Sequence, residues 1–441
     1  MHCYRARHDT SARLLSMLLC LAMLVVGASS AKSDGPAQVT VLRETVRDSF
    51  INNPFVRDTT LDWHIRTYYL RRDNFDDSRV QAWAGGGWLA YKSGLLANTF
   101  HIGATLYTSQ PIFAPSDQGG TGLLTNNQDP LNSLGEAYLG AKFSGQSLVV
   151  GRQIIDTPLI NRRDNRMIPM TFEAVTLRSD TGKNARFQYI AGYIERFKPR
   201  DSNDFERISR GFGVDELDTG TPFAWFAYHP NEQLSFAAMN YWVEDIVNTG
   251  YIEGIYRFPQ HAIGPQFILA TNLITQHSVG SDRLTGSSFS TYQGSARLTA
   301  DFGDLQLMAV GSTTGTGAAI NFPLGTKPNY TDIQQLSFDR AGEDAAGIGA
   351  SLKLGRIGLK DVTATVWHVW GWDAIDATTR ASLPDRRELD LSLRYQPSEG
   401  HFKGLSVWGR YSEVFSKGAG VRSDQPEFRF IVDYTVNLIG P

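Results

Sequence analysis

The chain has 441 residues, of which 41% are hydrophobic, 20% charged and 11% aromatic, with a formal net charge of -3. That balance excludes a disordered chain, which would be aromatic-poor and strongly charged, and the lack of net basic charge argues against a nucleic-acid partner. Beyond the N-terminus no run of about 18 uncharged apolar residues occurs, which excludes helical membrane spans.

Residues 1–31 read as a secretory signal peptide: Arg5, Arg7 and Arg13, then an apolar run from Leu14 to Gly27, then the small residues Ala28 to Ala31. Both cysteines, Cys3 and Cys20, fall inside that segment, so the exported product is expected to carry neither thiol nor disulfide chemistry. Residues 32–60 carry mixed charge and little strand signal, and are expected to form an N-terminal periplasmic extension leading to a domain over 61–441.

From there on the chain alternates with a period of two. Tyr292, Ala296, Leu298 and Ala300 oppose Gln293, Ser295, Arg297, Thr299 and Asp301; Leu389, Leu391, Leu393 and Tyr395 oppose Glu388, Asp390, Ser392 and Arg394. Leu405, Val407 and Tyr411 oppose Ser406, Arg410 and Ser412, and Phe428, Phe430, Val432, Tyr434, Val436 and Leu438 oppose a polar set broken only by Ile431. Such spacing places one set on an apolar face and the other on a polar face of a strand. Short turns such as Pro230-Asn231-Glu232, Gly303-Asp304 and Pro397-Ser398-Glu399-Gly400 alternate with long polar loops near 110–133, 154–171, 198–218, 276–287 and 314–344. The count is about eighteen strands long enough to cross a bilayer when tilted.

An all-β, antiparallel transmembrane β-barrel accounts for these features best. A soluble sandwich would have shorter strands and loops of more even length, and a propeller needs a fixed repeat. In a membrane barrel the apolar set meets lipid and the polar set lines water, and 16 to 18 strands leave an aqueous channel. The predicted function is passive, partly selective passage of small solutes; a non-selective general porin is the alternative, and a barrel-bound outer-membrane enzyme is a weaker one. The histidines show no metal-ligand spacing, and no nucleophile elbow, phosphate loop or dinucleotide fingerprint occurs, so no cofactor or metal is expected. The expected partners are outer-membrane lipid and small anionic or zwitterionic solutes, with the barrel a monomer or a trimer.

The alternation assigns Arg66, Arg152, Arg257, Arg297, Lys353, Arg394, Arg410 and Arg429 to the lumen. Arginine there offers a planar, permanently charged fork that suits carboxylates. The segment from Gly151 to Pro169 is unusual in carrying Ile154, Ile155, Leu159, Ile160, Met167 and Ile168, since that much apolar surface requires a partner. It is expected to fold into the barrel as a constriction, with Arg162, Arg163, Asp164 or Arg166 at the narrowest point.

Several motifs carry a resemblance: Gly151-Arg152-Gln153, Thr157-Pro158-Leu159-Ile160-Asn161, Asp164-Asn165-Arg166-Met167-Ile168-Pro169, Leu61 to Arg72, Ala82 to Trp88, Tyr107 to Pro111, and Glu427 to Tyr434. From about Asp48 onward the sequence is similar to the OprD family of outer-membrane channels. The resemblance implies a Gram-negative outer-membrane barrel of eighteen strands, an inward-folded third loop, and a ladder of basic lumen residues that guides carboxylate-bearing solutes such as amino acids, peptides and aromatic acids. Arg410 and Arg429 match ladder arginines on the last two strands. Trp408 stands where another ladder arginine is expected, which shortens the basic track and favours a ring-bearing solute or a less selective pore.

Overall fold

The computed structural model describes residues 52–440 apart from 181, 183, 184, 216, 261–263 and 419. The signal-peptide reading and most of the N-terminal extension lie outside the described residues. Within that extension Pro54–Arg57 form one helical turn.

Among the described residues nineteen strands follow in chain order: β1 (Thr60–Asp73), β2 (Arg79–Lys92), β3 (Phe100–Phe113), β4 (Leu131–Phe143), β5 (Gln146–Gln153), β6 (Thr171–Ser179), β7 (Phe187–Lys198), β8 (Glu206–Arg207), β9 (Thr221–Tyr228), β10 (Leu234–Val243), β11 (Val247–Arg257), β12 (Gln266–His277), β13 (Ser290–Asp301), β14 (Leu305–Thr314), β15 (Asp344–Lys353), β16 (Val362–Trp372), β17 (Arg386–Tyr395), β18 (Leu405–Phe415) and β19 (Asp424–Ile439). The two-residue β8 only extends a ladder with β7, and β7 pairs directly with β9. The other eighteen form an antiparallel sheet in which each strand pairs with its neighbour in the chain. The sheet closes because β1 also pairs with β19, from Leu61 opposite Ile439 to Arg72 opposite Glu427. Closure leaves no open edge, which is the condition for a sheet to sit in hydrocarbon.

The two faces differ as the period-two pattern requires. Ile252, Leu298, Ile348, Leu391, Leu393, Phe428 and Phe430 are exposed on the outside, whereas Gln293, Glu388, Ser412, Glu427 and Arg429 are buried inside. The two rims are unequal. The short connections on one rim include 144–145, 229–233 and 302–304, while the other carries 114–130, 154–170, 199–220 and 315–343. Large apolar side chains from these long segments occupy the lumen, where they pack against inward-facing wall residues.

Candidate constriction and arginine track

The segment 154–170 leaves β5 at Gln153, crosses the lumen and returns at Thr171, and is the third connection on the long-loop rim. Its apolar residues divide between two partners. Ile155, Leu159 and Ile160 cluster with Ile194, Phe197, Met239 and Ile274 of one wall and with Phe322 and Leu324 of the segment 315–343. Met167 and Ile168 cluster with Tyr68 and Leu70 of the opposite wall and with Leu123 and Leu124 of the segment 114–130. The loop is therefore pinned at both ends by desolvation, which supplies the partner its composition demands.

Polar contacts fix the crossing. Arg66, buried on the inner face of β1, donates from Nη1 to Asp164 Oδ1 at 2.6 Å and to the Arg166 carbonyl at 2.6 Å. Its Nε donates to Asp433 Oδ1 at 2.5 Å, and the same carboxylate oxygen lies 3.1 Å from His64 Nε2. The His64 ring stacks on Trp88 with centroids 3.8 Å apart. Arg66 thus lies on the inner face with two carboxylates against its charge, and it anchors the crossing loop. Arg162 pairs with Asp156 in the same loop.

A second loop completes the narrowing. The segment 315–343 also folds inward, and Asn161 clasps it. The Asn161 amide N–H donates to the Leu324 carbonyl at 3.1 Å, and Asn161 Oδ1 accepts from the Thr326 amide at 2.9 Å. Gly325 lets the two backbones approach, because a Cβ there would stand 2.7 Å from Asn161 Nδ2. Further along, Glu388 accepts the Gln335 and Leu336 amide N–H groups at 2.7 Å each, and Asp390 accepts that of Gln334 at 3.0 Å. These two buried acids of β17 seat the loop against the wall that carries the arginines.

On that wall Arg410 and Arg429 are direct cross-strand partners. Arg429 donates to Glu427 Oε1 from Nε at 2.6 Å and to the Gln334 carbonyl from Nη2 at 3.0 Å. Arg410 lies over the Trp408 ring at 4.4 Å, and Arg394 lies over the same ring at 5.2 Å. Trp408 therefore does not interrupt the row; its π-face links two guanidinium groups. Arg394 also donates to Ser406 Oγ at 3.0 Å, whereas the buried Nε of Arg410 has no hydrogen-bond partner among the described residues.

Three loop arginines close on this wall. Arg166 donates to the Thr121 carbonyl at 2.8 Å, and Arg200 pairs with the Asn165 side chain. Burial pushes Arg163, Arg166 and Arg200 below the ordinary arginine range. Repulsion from Arg429 and Arg163 adds to this at Arg166, and repulsion from Arg166, Arg163 and Arg429 at Arg200. Guanidinium groups keep their proton in proteins, so the downward push expresses the cost of holding these charges out of water, with like-charge crowding added at Arg166 and Arg200. Asp332, on the second loop, is pushed up to about 6 by burial.

The remaining predicted residues are dispersed. Arg297 faces the lumen and lies over the Tyr330 ring at 4.7 Å, while Tyr330 Oη donates to Glu253 at 2.7 Å. Lys353 shares the inner face with Ser351 but stands at the short-turn rim, at the end of β15. Arg257 likewise ends β11 at that rim. Arg152 requires a correction. It lies on the outer face of β5, on the side of Val150 and opposite Gln153, where its Nε donates to Glu173 at 2.8 Å and its guanidinium covers Phe205 at 4.4 Å. The cause is local: Val149 and Val150 are both apolar, so alternation does not reveal which side faces in. Sequence reasoning missed Arg200 and took the second loop, 314–344, only as a long polar connection, not as one that folds inward. The signal for the loop was present in Ile320, Phe322, Leu324, Ile333, Leu336 and Phe338, an apolar load like that of the third loop.

The family profile of the outer-membrane porins of the OprD family matches residues 53–438. Porin D of Pseudomonas aeruginosa is 24% identical over 445 residues, covering 93% of this chain and 98% of that one. Among solved structures, OccK9 (OpdG) of Pseudomonas aeruginosa superposes with a TM-score of 0.77 at 22% identity, over 87% of this chain and 100% of that one. OccAB3 of Acinetobacter baumannii does so with 0.77 at 18% over the same shares. OpdK of Pseudomonas aeruginosa, solved with vanillate, gives 0.76 at 19%, again over 87% and 100%.

Proposed function

The chain belongs to the OprD family of porins and is a β-barrel channel of a Gram-negative outer membrane, and on that premise we propose that it passes small carboxylate-bearing solutes along a basic lumen wall. The observation that carries this reading is the convergence of Arg394, Arg410 and Arg429 with Arg163, Arg166 and Arg200 beside the crossing loop. A carboxylate sliding along that wall exchanges one guanidinium fork for the next, and charge-assisted bonds of this kind give orientation as well as attraction. Arg410 and Arg163 are the members with unused donor capacity, since the buried Nε of each has no hydrogen-bond partner among the described residues. Trp408 adds a flat apolar face between two cations, which suits a solute carrying a ring beside its carboxylate. The relative solved with vanillate, an aromatic carboxylate, is consistent with that class. Amino acids, peptides and other organic acids fall within the same chemistry.

Single-channel recording in planar bilayers, combined with uptake into liposomes of benzoate-type acids, amino acids, dicarboxylates and neutral sugars, tests the proposal. Carboxylates are expected to block or accumulate, and sugars are not. Arg410→Ala should weaken that effect roughly ten- to hundred-fold, the equivalent of a lost charge-assisted hydrogen bond of about 1.5–3 kcal/mol. Arg429→Ala should do the same and also raise conductance, because it frees the Gln334 contact. Unchanged carboxylate block in both variants would leave a general, non-selective pore.

A further inference from the structure

A recess of about 780 Å³ lies at the long-loop rim between the ends of β16, β17 and β18. Its wall is built by strand register: Trp370 stands opposite Arg387, and Arg387 opposite Phe415. All three share the outer face with Leu391 and Leu393, while Val369, Glu388 and Val414 on the same strands point inward and are buried. Trp372, Asp385 and Lys417 also line it, as does Arg386, whose charge is taken up by Glu343. The Arg387 guanidinium lies over the Phe415 ring at 4.9 Å. Among the described residues neither Arg387 nor Lys417 makes an ion pair or a side-chain hydrogen bond, and both are exposed.

Two unmatched cations on an aromatic, lipid-facing wall are chemically specific. Tryptophan and other amphipathic rings settle at the headgroup level of a bilayer, so Trp370 and Trp372 mark the membrane boundary there. Short turns face the periplasm in such barrels and long loops the exterior, which puts this boundary in the outer leaflet. The cations therefore stand where lipid phosphates lie, and an arginine held flat on a ring keeps its outer N–H groups free for phosphate oxygens. Chains seated on the apolar surface below, at Leu391 and Leu393, would continue from the same site.

We propose that this recess binds the phosphorylated glycolipid of the outer leaflet, with Arg387 and Lys417 holding a lipid A phosphate and Trp370, Trp372 and Phe415 seating its sugar and first methylenes. The site is separate from the conduction path.

The test is native mass spectrometry of the purified full-length barrel in detergent, titrated with lipid A, with enzymatically dephosphorylated lipid A, with phosphatidylglycerol and with inorganic phosphate. Lipid A is expected to be retained as a one-to-one adduct at least tenfold more strongly than its dephosphorylated form or phosphatidylglycerol, and inorganic phosphate to displace little of it. The double variant Arg387→Ala, Lys417→Ala should lose that preference about tenfold, whereas Lys403→Ala, an exposed cation at the opposite rim, should keep it. Unchanged single-channel conductance in the double variant establishes that the barrel is intact. Equal retention of the dephosphorylated lipid, equal retention by phosphatidylglycerol, full displacement by phosphate, unaltered binding in the double variant, or appearance of a second copy of the chain in place of lipid would each overturn the assignment.

Discussion

Asp332 shows how much one side chain can govern. Burial raises it to about 6, beside the charge of Arg163. Below that pH it is neutral and the constriction gains one unit of positive charge; above it the carboxylate partly screens the arginines. The expected outcome is that anion preference, read as reversal potential under a salt gradient, rises as pH falls from 7.5 to 5, and that Asp332→Asn removes most of that slope. The linkage has a definite sign. The folded protein holds this proton more tightly than the unfolded chain, so its contribution to stability is greatest below the ordinary aspartate range and is lost as pH rises through about 6. Arg66 is the contrasting case: a lumen arginine whose fork is already filled by Asp164 and Asp433. Its position was legible from alternation, but its role was not, because both acids come from distant parts of the chain.

At the scale of elements, strands with clean alternation were the legible ones. β13, β17, β18 and β19 place the predicted residues on the predicted faces, because each has one apolar and one polar set. β5 failed at Arg152, where consecutive valines erase the period. The third loop was legible because an exposed loop cannot carry so many buried-type side chains. The second inward loop carries a similar load spread over a longer stretch, and its contacts with Glu388, Asp390 and Asn161 join residues far apart in the chain, which no local pattern reveals. Gly325→Ala tests the clasp between the loops. The added Cβ collides with Asn161, so single-channel conductance should increase and become noisier, while the barrel's heat-resistant migration in gels stays as it is.

For the whole molecule, the separation into an oily exterior and a wet interior is the property on which the fold depends. Ile348 lies in the middle of β15 with 60% of its surface exposed, facing outward. Ile348→Arg should cost about 2–4 kcal/mol of folding stability in lipid vesicles, the range for a cation near the bilayer midplane. The measurement is urea-dependent tryptophan fluorescence, and a negligible cost would mean that this wall does not meet hydrocarbon.

The pairing of β1 with β19 joins residues more than 350 positions apart. The tube cannot be sealed until its final segment has been delivered to its first. Arg66 sits on that seam, reaching Asp433 across it and Asp164 in the crossing loop. Zipping the cylinder shut and setting its aperture thus share one fastener. A nascent barrel still open at the seam would be unable to hold its aperture, so the cell is spared a half-built sieve only if sealing is the last act of assembly.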